Sequence, residues 1–248
     1  NTPFSDPAYK EKYRMEYTAS PAPAGGNTYP NASFGEIDYV AHSSRTFTTQ
    51  EYIDMYFFAK GIVIPHHYHG ASQVIATYLH RKHGIPLIDF YKKLFDVSKH
   101  GAGILNREYI AHTDSLRESL FDMKTWGRPI EGGDDFHFQD NGATAAFLYS
   151  NIEEVHEEIN NLVKINFNID TREVSVYNRF ILNKYDVYTN EISLNRNWNE
   201  WFFNHEELTL DNHILKANRK QYKDLRDHAQ NVFWYGRKSK RCFVDTHR

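Results

Sequence analysis

The chain has almost no cysteine: Cys242 is the only one among 248 residues. A single cysteine excludes an internal disulfide framework and a cysteine-based zinc site, and it argues against a cysteine-centred nucleophilic enzyme. The sequence also lacks an apolar run of about 18 residues, which a membrane-spanning helix needs. The glycine-rich phosphate loops of nucleotide-binding proteins are absent as well. Cysteine usage therefore gives no indication of the redox compartment, and no transmembrane helix is expected.

The start of the chain lacks an initiator methionine, a basic n-region and an apolar h-region, since it begins at Asn1 with a polar, proline-containing stretch. We interpret the chain as a processed or excised piece of a longer product. Its composition, 40% hydrophobic and 25% charged residues, is typical of a soluble globular protein. A chain of this length can bury a sizeable core.

The net charge of −3 conceals an asymmetry along the chain. Residues 214–241 hold nine Lys or Arg against two Asp, an excess of seven positive charges, so residues 1–213 carry about ten negative charges by difference. Aromatic residues are interleaved with the basic ones, at Tyr222, Phe233, Trp234 and Tyr235. Such a segment can contact nucleic acid or an acidic partner. It can equally complement the acidic body of its own protein.

Breaker residues divide the chain into three parts. Five of the eight prolines lie in residues 1–36, at Pro3, Pro7, Pro21, Pro23 and Pro30. This segment has no hydrophobic period, so we predict an extended arm or linker there. Residues 37–213 are predicted to form a single α+β domain, and residues 214–248 a basic, aromatic C-terminal extension.

Hydrophobic periodicity predicts helices first and strands later within the domain. Thr48 is a candidate N-cap, and Gly61 and Gly84 are candidate helix stops. The predicted helices cover residues 49–59, 73–83, 88–123 with a break near Gly101 and Gly103, and 152–162. The predicted strands cover residues 61–69, 145–151, 163–169, 173–182 and 186–194, and a polar loop covers 127–142. This order predicts an α+β fold whose second half is rich in strands.

Residues 61–72, Gly-Ile-Val-Ile-Pro-His-His-Tyr-His-Gly-Ala-Ser, place three histidines within four positions at the end of an apolar run. In one interpretation His66, His67 and His69 bind a metal, with His67 and His69 on one face of a strand, although further ligands are then needed. In the other, His69 hydrogen-bonds a ligand and Gly70 lets the backbone come close to it. A histidine-rich loop without a ligand explains the same residues.

A strand, then Tyr68-His69-Gly70, a small residue, Ser72 and a helix: this order resembles the first motif of the ADP-ribosyltransferases of the His-Tyr-Glu type. The family includes the diphtheria-toxin-like enzymes and the poly(ADP-ribose) polymerases. In these enzymes a hydroxyl residue usually follows His-Gly directly. Here Ala71 takes that position, and Ser72 comes one residue later.

Two later stretches resemble the other motifs of that family. Residues 145–151, Ala-Ala-Phe-Leu-Tyr-Ser-Asn, are similar to the second motif, a strand with an aromatic ring and then a small hydroxyl residue. Residues 190–192, Asn-Glu-Ile, are similar to the third motif of the poly(ADP-ribose) polymerase branch. Ordinary strands without a ligand explain the same residues: residues 145–151 would bury Phe147 and expose Tyr149, and the later strand would place Glu191 on a solvated face.

The resemblance implies a binding site for NAD and an ADP-ribosyltransferase-like split sheet around it. His69 would orient the ribose of NAD, and the backbone at Gly70 would meet the carboxamide, beside Ser72. Tyr149 would stack on the nicotinamide ring, with Phe147 as the alternative ring.

The resemblance also implies the reaction. Cleavage of the bond between nicotinamide and ribose builds positive charge on the ribose, and Glu191 would hold the 2′-hydroxyl and stabilise that charge. NAD is then a substrate and no metal is needed. ADP-ribose would pass to a macromolecular acceptor, a protein side chain or a nucleic acid base or phosphate, or to water. Nucleic acid contacts would fall on residues 214–241. A secreted or translocated enzyme fits this interpretation.

Three alternatives accompany the resemblance. His67 and His69 resemble a cupin His-x-His, which would make the protein a metal-dependent enzyme, but the Glu of that motif is absent. Residues 137–142 resemble the loop of the Fic family, but that loop is shortened on both sides of Gln139-Asp140, and Ala143 stands where the phosphate-binding Arg belongs. A non-catalytic binding module that uses the basic C-terminal segment is the third alternative.

Overall fold

The computed structural model describes residues 6–23, 33–122, 127–129, 139–175, 178, 190–193 and 214–217. In chain order its elements are α1 (Pro7–Tyr13), β1 (Glu16–Pro23), β2 (Ser33–Ser43), α2 (Thr49–Phe57), a π-helix (Phe58–Tyr68), α3 (Gln73–His83), α4 (Leu87–His100), α5 (Ile104–Phe121), α6 (Asp140–Ser150), α7 (Ile152–Phe167), β3 (Asn190–Ser193) and β4 (Ile214–Ala217).

The fold is α+β, since helices dominate the described residues and two antiparallel two-stranded sheets accompany them. In the first sheet β1 pairs with β2, with Thr18 opposite Val40. In the second, β3 pairs with β4. Among the described helices, none is both long and apolar enough to cross a membrane.

The main hydrophobic core lies among the π-helix, α3, α4, α5 and α7, with contributions from α2 and α6. Burial of one large apolar side chain stabilises the fold by about 1.5–3 kcal/mol relative to its exposure. The largest fully buried side chains of this core are Phe57, Ile62, Ile75, Leu79, Phe90, Leu94, Ile104, Leu105 and Leu148. A smaller core formed by Ile53, Leu116 and Leu120 packs against Val40 and so joins α2 and α5 to the first sheet.

The helix predictions for the first half of the domain are confirmed. The Thr48 hydroxyl accepts a hydrogen bond from the Glu51 N–H at 3.2 Å, and the Glu51 carboxylate accepts one from the Thr48 N–H at 2.7 Å, which is a complete capping box at the start of α2. α3 ends before Gly84, as predicted. The break between α4 and α5 spans residues 101–103, at the predicted glycines.

The predicted strand over residues 61–69 is wrong, because the chain continues from α2 into the π-helix. Gly61 does not stop the helix: a Cβ there would overlap the ring of Phe57, so a glycine is needed for this close approach. The buried residues of the segment are Gly61, Ile62, Pro65 and His66, which follow a helical period and not alternation. A short apolar run cannot distinguish a strand from a buried helical segment by its pattern.

The predicted strand over residues 145–151 is also wrong, since these positions belong to α6 and the turn after it. Residues 143, 145 and 146 are alanine, the strongest helix former, and all three are buried. The helix begins at Asp140, inside the predicted polar loop; residues 130–138 of that loop lie outside the described residues. The helix predicted over 152–162 is confirmed.

The strand predicted over residues 163–169 is instead the last turn of α7 and its C-cap. Its letters alternate, but Val163 is buried while Ile165 is 83% exposed, so the helical period of the preceding turns continues. The strand predicted over residues 173–182 is helical at 173–175 and 178, and its other residues lie outside the described part of the chain. Within 186–194 the described residues form β3, which confirms that strand prediction there. A strand-rich second half is thus not seen in the described part of the chain.

The proline-rich N-terminal segment forms regular structure before Ser33. Asp6 caps α1 by accepting a hydrogen bond from the Ala8 N–H at 2.9 Å, and Pro7 occupies the first turn, where proline is well accommodated. Pro21 and Pro23, predicted to lie in a linker, belong to β1, an edge strand that tolerates proline. The predicted division into residues 1–36, 37–213 and 214–248 stays a prediction.

We expect two isoleucines of α7 to differ sharply in their contribution to stability. Ile159 is fully buried in the main core, whereas Ile165, six residues later, is 83% exposed. Ile159→Ala should lower the free energy of unfolding by about 2–5 kcal/mol, and Ile165→Ala by less than about 0.5 kcal/mol. Urea denaturation followed by circular dichroism measures both. Equal losses in the two variants would contradict the placement of α7.

Candidate functional site

The predicted first motif lies in a buried turn, residues 69–72, between the π-helix and α3. Its backbone N–H groups donate back into the π-helix: His69 to the Ile64 carbonyl at 2.9 Å and Ser72 to the His66 carbonyl at 3.0 Å. Gly70 has a φ of 89°, a left-handed conformation that strains any other residue. All four residues are buried, with His69 7% exposed. The sequence thus makes the turn rigid through glycine and backbone bonding.

Two distant side chains bind the carbonyl groups of this turn. The Asn178 side-chain N–H₂ donates to the carbonyls of Gly70 and Ala71 at 2.7 and 2.6 Å. The ring Nε2 of His156, on α7, also lies 2.8 Å from the Ala71 carbonyl and donates to it. The Asn178 side-chain oxygen accepts from the Val74 N–H, in the first turn of α3, at 2.8 Å. The 69–72 turn is therefore held by the π-helix that precedes it, by Asn178 and by His156 of α7.

The histidines of residues 61–72 do not converge on one point. His66 is 1% exposed, and its Nδ1 lies 3.1 Å from the Ser72 hydroxyl. His67 instead has its Nδ1 2.9 Å from the hydroxyl of Tyr91 on α4. The prediction that His67 and His69 share a face fails because the segment is helical. Among the described residues no three His, Cys, Asp or Glu side chains come together as a metal site.

Burial controls the protonation of His66. Burial, and to a smaller extent the nearby His156, lowers the pKa of His66 to about 3. The imidazole is therefore neutral around pH 7, and its Nδ1 forms a hydrogen bond with the Ser72 hydroxyl. Ser72 occupies the N-cap position of α3 but makes no side-chain cap. The Asn178 oxygen supplies that missing acceptor.

The second predicted motif lies on α6, which packs against the π-helix. Phe147 is partly buried against the main core, and the Arg107 guanidinium lies 6.0 Å from the centre of its ring. The side chain of Tyr149 lies outside the described part of the structure. Because these residues belong to a helix, positions 147 and 149 lie on different faces, which a strand would have placed together.

The third predicted motif is separate from the first two in the described structure. Glu191 lies in β3, where it is paired in register with Lys216 of β4. Within the described residues, β3 packs extensively only against β4. The structure thus places His69, Gly70 and Ser72 in one turn and packs the helix of Phe147 and Tyr149 against the π-helix that precedes this turn. The described partner of Glu191 is Lys216 of β4.

Sequence reasoning missed a second group of polar residues, which we call the buried polar cluster. It lies where α2, α5, α6 and residues 127–128 meet. A sequence signal exists: Glu108 and His112 are one turn apart on α5, and Asp140 and Thr144 are one turn apart on α6, amid apolar neighbours. The members are Tyr56, Glu108, His112, Ser115, Arg128, Asp140 and Thr144.

Arg128 and Thr144 connect the cluster. The Arg128 guanidinium forms an ion pair with Glu108 and lies 3.5 Å from the Thr144 hydroxyl. The same hydroxyl lies 3.0 Å from Nδ1 of His112. Asp140 accepts hydrogen bonds from the Tyr56 hydroxyl at 3.1 Å and the Ser115 hydroxyl at 3.3 Å. These contacts link α2, α5 and α6 through polar groups.

Burial shifts the titration of this cluster away from solution behaviour. Burial raises the pKa of Glu108 despite the opposing charge of Arg128, and it raises the pKa of Asp140 in the same way. Burial and the charge of Arg128 both lower the pKa of His112 well below its usual range. Within the described residues, Glu108 Oε2, His112 Nε2 and Arg128 Nε have no hydrogen-bond partner. The cluster therefore combines proton donors and acceptors with a single guanidinium.

We expect His66 to make the protein less stable in mild acid. A histidine pKa lowered from 6.5 to about 3 means that the unfolded state binds the proton first, so stability is lost as pH falls below 6.5. At pH 5 the loss from this one group is roughly 2 kcal/mol. Glu108 and Asp140 act in the opposite direction, so the comparison with a variant isolates His66.

His66→Gln should therefore lose roughly 2 kcal/mol less free energy of unfolding between pH 7 and pH 5 than the unaltered protein does. The exposed His80 on α3 gives the control His80→Gln, which should keep the original pH dependence. Denaturant titrations at both pH values provide the measurement. If the free energy of unfolding of His66→Gln falls between pH 7 and pH 5 as much as that of the unaltered protein, His66 is not buried in its neutral form.

Arg128 should matter more for stability than an exposed arginine. Arg128→Met leaves the carboxylate of Glu108 buried without its guanidinium partner, which should lower the free energy of unfolding by about 3–5 kcal/mol. The double variant Glu108→Leu/Arg128→Met removes both charges and should recover most of that loss. Arg117, whose ion pair with Asp114 is exposed, supplies the control Arg117→Met, with a change below about 1 kcal/mol. Chemical denaturation of all three variants tests this. A double variant as unstable as Arg128→Met would contradict the pairing.

The chain matches no protein-family model and no curated protein. Any inference about its function therefore depends on its own residues, on the 69–72 turn and on the helices around it.

Proposed function

We propose that the protein transfers ADP-ribose from NAD to a macromolecular acceptor, with release of nicotinamide, and that NAD binds at the 69–72 turn. The resemblance of residues 61–72, 145–151 and 190–192 to the three motifs of the His-Tyr-Glu ADP-ribosyltransferases supports this proposal. It is a proposal about chemistry at one turn, and its parts can be tested separately.

The observation that supports it best is the packing of α6 against the π-helix. The π-helix leads directly into the turn of His69 and Gly70, and α6 carries Phe147 and Tyr149. Two motif segments that are distant in the sequence, residues 61–72 and 145–151, therefore belong to adjacent elements. An aromatic residue of α6 would then stack on the nicotinamide ring while His69 orients the adjoining ribose.

The hydrogen bonds of the turn limit how NAD meets it. The Ala71 carbonyl accepts from both Asn178 and His156, which uses its two lone pairs. Among the described side chains the Gly70 carbonyl accepts from Asn178 only, and its second lone pair would accept from a carboxamide N–H of nicotinamide. His69 would bind the ribose, and Glu191 would stabilise the positive charge that develops on it.

The proposal also covers the sheet around the site, the acceptor and the location of the enzyme. The split sheet that the resemblance implies would include β3 and β4. The acceptor would be a protein, or a nucleic acid bound by residues 214–241, whose excess of seven positive charges favours an acidic partner. Secretion or translocation of the enzyme stays part of the hypothesis. A binding module without catalysis is the second candidate, and the same charge excess favours it.

The test is nicotinamide release from NAD labelled in its nicotinamide ring. Glu191→Gln should keep the affinity for NAD within a few fold and lower turnover by roughly two to four powers of ten, because the carboxylate acts on the transition state. His69→Asn should instead weaken NAD binding. Glu11→Gln and His80→Asn, at exposed positions of α1 and α3, are the matched controls and should behave as the unaltered protein does.

Calorimetry that finds no binding at millimolar NAD would remove the proposal and favour the binding module. Turnover that survives Glu191→Gln would instead place the catalytic carboxylate elsewhere, with Glu173 and Glu200 next to be tested. Stoichiometric zinc or iron in the purified protein would favour the metal-dependent alternative.

A further inference from the structure

The Asn178 side chain forms hydrogen bonds with the 69–72 turn and with the first turn of α3, both distant in sequence. Its side-chain N–H₂ donates to the carbonyls of Gly70 and Ala71, and its oxygen accepts from the Val74 N–H. The residue is fully buried, with 0% exposure. More than 100 residues separate Asn178 from the residues that it contacts here, so these hydrogen bonds are long-range.

Capping of α3 alone does not explain this arrangement. A cap needs an acceptor for an N–H of the first helical turn, and the Asn178 oxygen provides it. The two donated hydrogen bonds go elsewhere, to the carbonyls of the Gly70–Ala71 and Ala71–Ser72 peptide groups. They fix the orientation of these two consecutive peptide planes, which follow Gly70. Gly70, with its positive φ, has no side chain that would restrict this orientation by itself.

We propose that Asn178 is a positioning residue for NAD binding: its side-chain amide holds the carbonyls of Gly70 and Ala71 so that the His69 ring faces the ribose of NAD while the Gly70 carbonyl faces the carboxamide of nicotinamide. This inference rests on the proposed function. Asn178 itself does not touch NAD in this account. It acts through the turn, and His156 supports the same carbonyl of Ala71 from α7.

Asn178→Asp separates the two roles of the residue. An aspartate retains an oxygen that can accept from the Val74 N–H, but the oxygen that replaces the N–H₂ group faces the carbonyls of Gly70 and Ala71 and repels them. Asn178→Ala removes both roles. Asn160 provides the matched control, because its side-chain oxygen accepts from the hydroxyls of Thr171 and Ser175 and the structure shows no bond from it to the 69–72 turn.

The variants are compared by steady-state nicotinamide release, with the folded fraction measured by circular dichroism. Asn178→Asp and Asn178→Ala should both raise the KM for NAD about tenfold or more, the change expected when roughly 1.4 kcal/mol of binding is lost. Asn160→Asp should leave KM within about twofold. A purely structural role would lower kcat in proportion to the folded fraction and leave KM unchanged, and this result in the Asn178 variants would overturn the inference.

A second readout does not need NAD turnover. In protein labelled with ¹³C and ¹⁵N in histidine, the ring resonances of His69 should shift in Asn178→Asp and stay in place in Asn160→Asp. If the unaltered protein binds no NAD, the proposed function fails, while the His69 resonances still test the positioning. Unchanged His69 resonances in both Asn178 variants would overturn the inference whether or not NAD binds.

Discussion

A peptide turn buried inside a helical protein needs a hydrogen-bond partner for each of its polar backbone groups, because each unpaired group costs about 1–3 kcal/mol. Two sets of contacts pair polar backbone groups of the 69–72 turn. The wide π-helix offers its carbonyls to the N–H groups of His69, Ala71 and Ser72, and Asn178 and His156 donate to the carbonyls of Gly70 and Ala71. The π-helix, the left-handed conformation of Gly70 and the long-range hydrogen bonds of Asn178 thus all serve to pair the backbone of the buried turn.

The buried polar cluster obeys the same constraint with charged groups. Glu108 and Asp140 are 2% and 3% exposed, and Arg128 lowers the pKa of both against the effect of burial. Isolated carboxylates in such surroundings would be costly. The cluster joins α5 to the first half of α6, and α6 in turn packs against the π-helix. Its charge balance therefore contributes to where the second motif lies relative to the 69–72 turn.

The parts of the fold that depend on local signals could be predicted from the sequence. The capping box of Thr48 and Glu51 and the stop at Gly84 give α2 and α3 their correct starts or ends. The π-helix and α6 could not, because short apolar runs fit a strand and a buried helix equally well. The sequence marked the turn of His69 as a candidate site, yet it contained no sign of Asn178, whose partners lie more than 100 residues away. Long-range hydrogen bonds leave no periodic pattern.

Binding of NAD at the 69–72 turn would change the surroundings of the His69 ring. Titration of histidine-labelled protein with NAD, followed by nuclear magnetic resonance of the imidazole rings, detects this change residue by residue. We expect the resonances of His69 to shift saturably and those of His66 and His156, which contact the turn, to shift with them, while those of the exposed His80 stay unchanged. A saturable shift confined to other histidines, or no shift at His69 at millimolar NAD, would contradict binding at this turn.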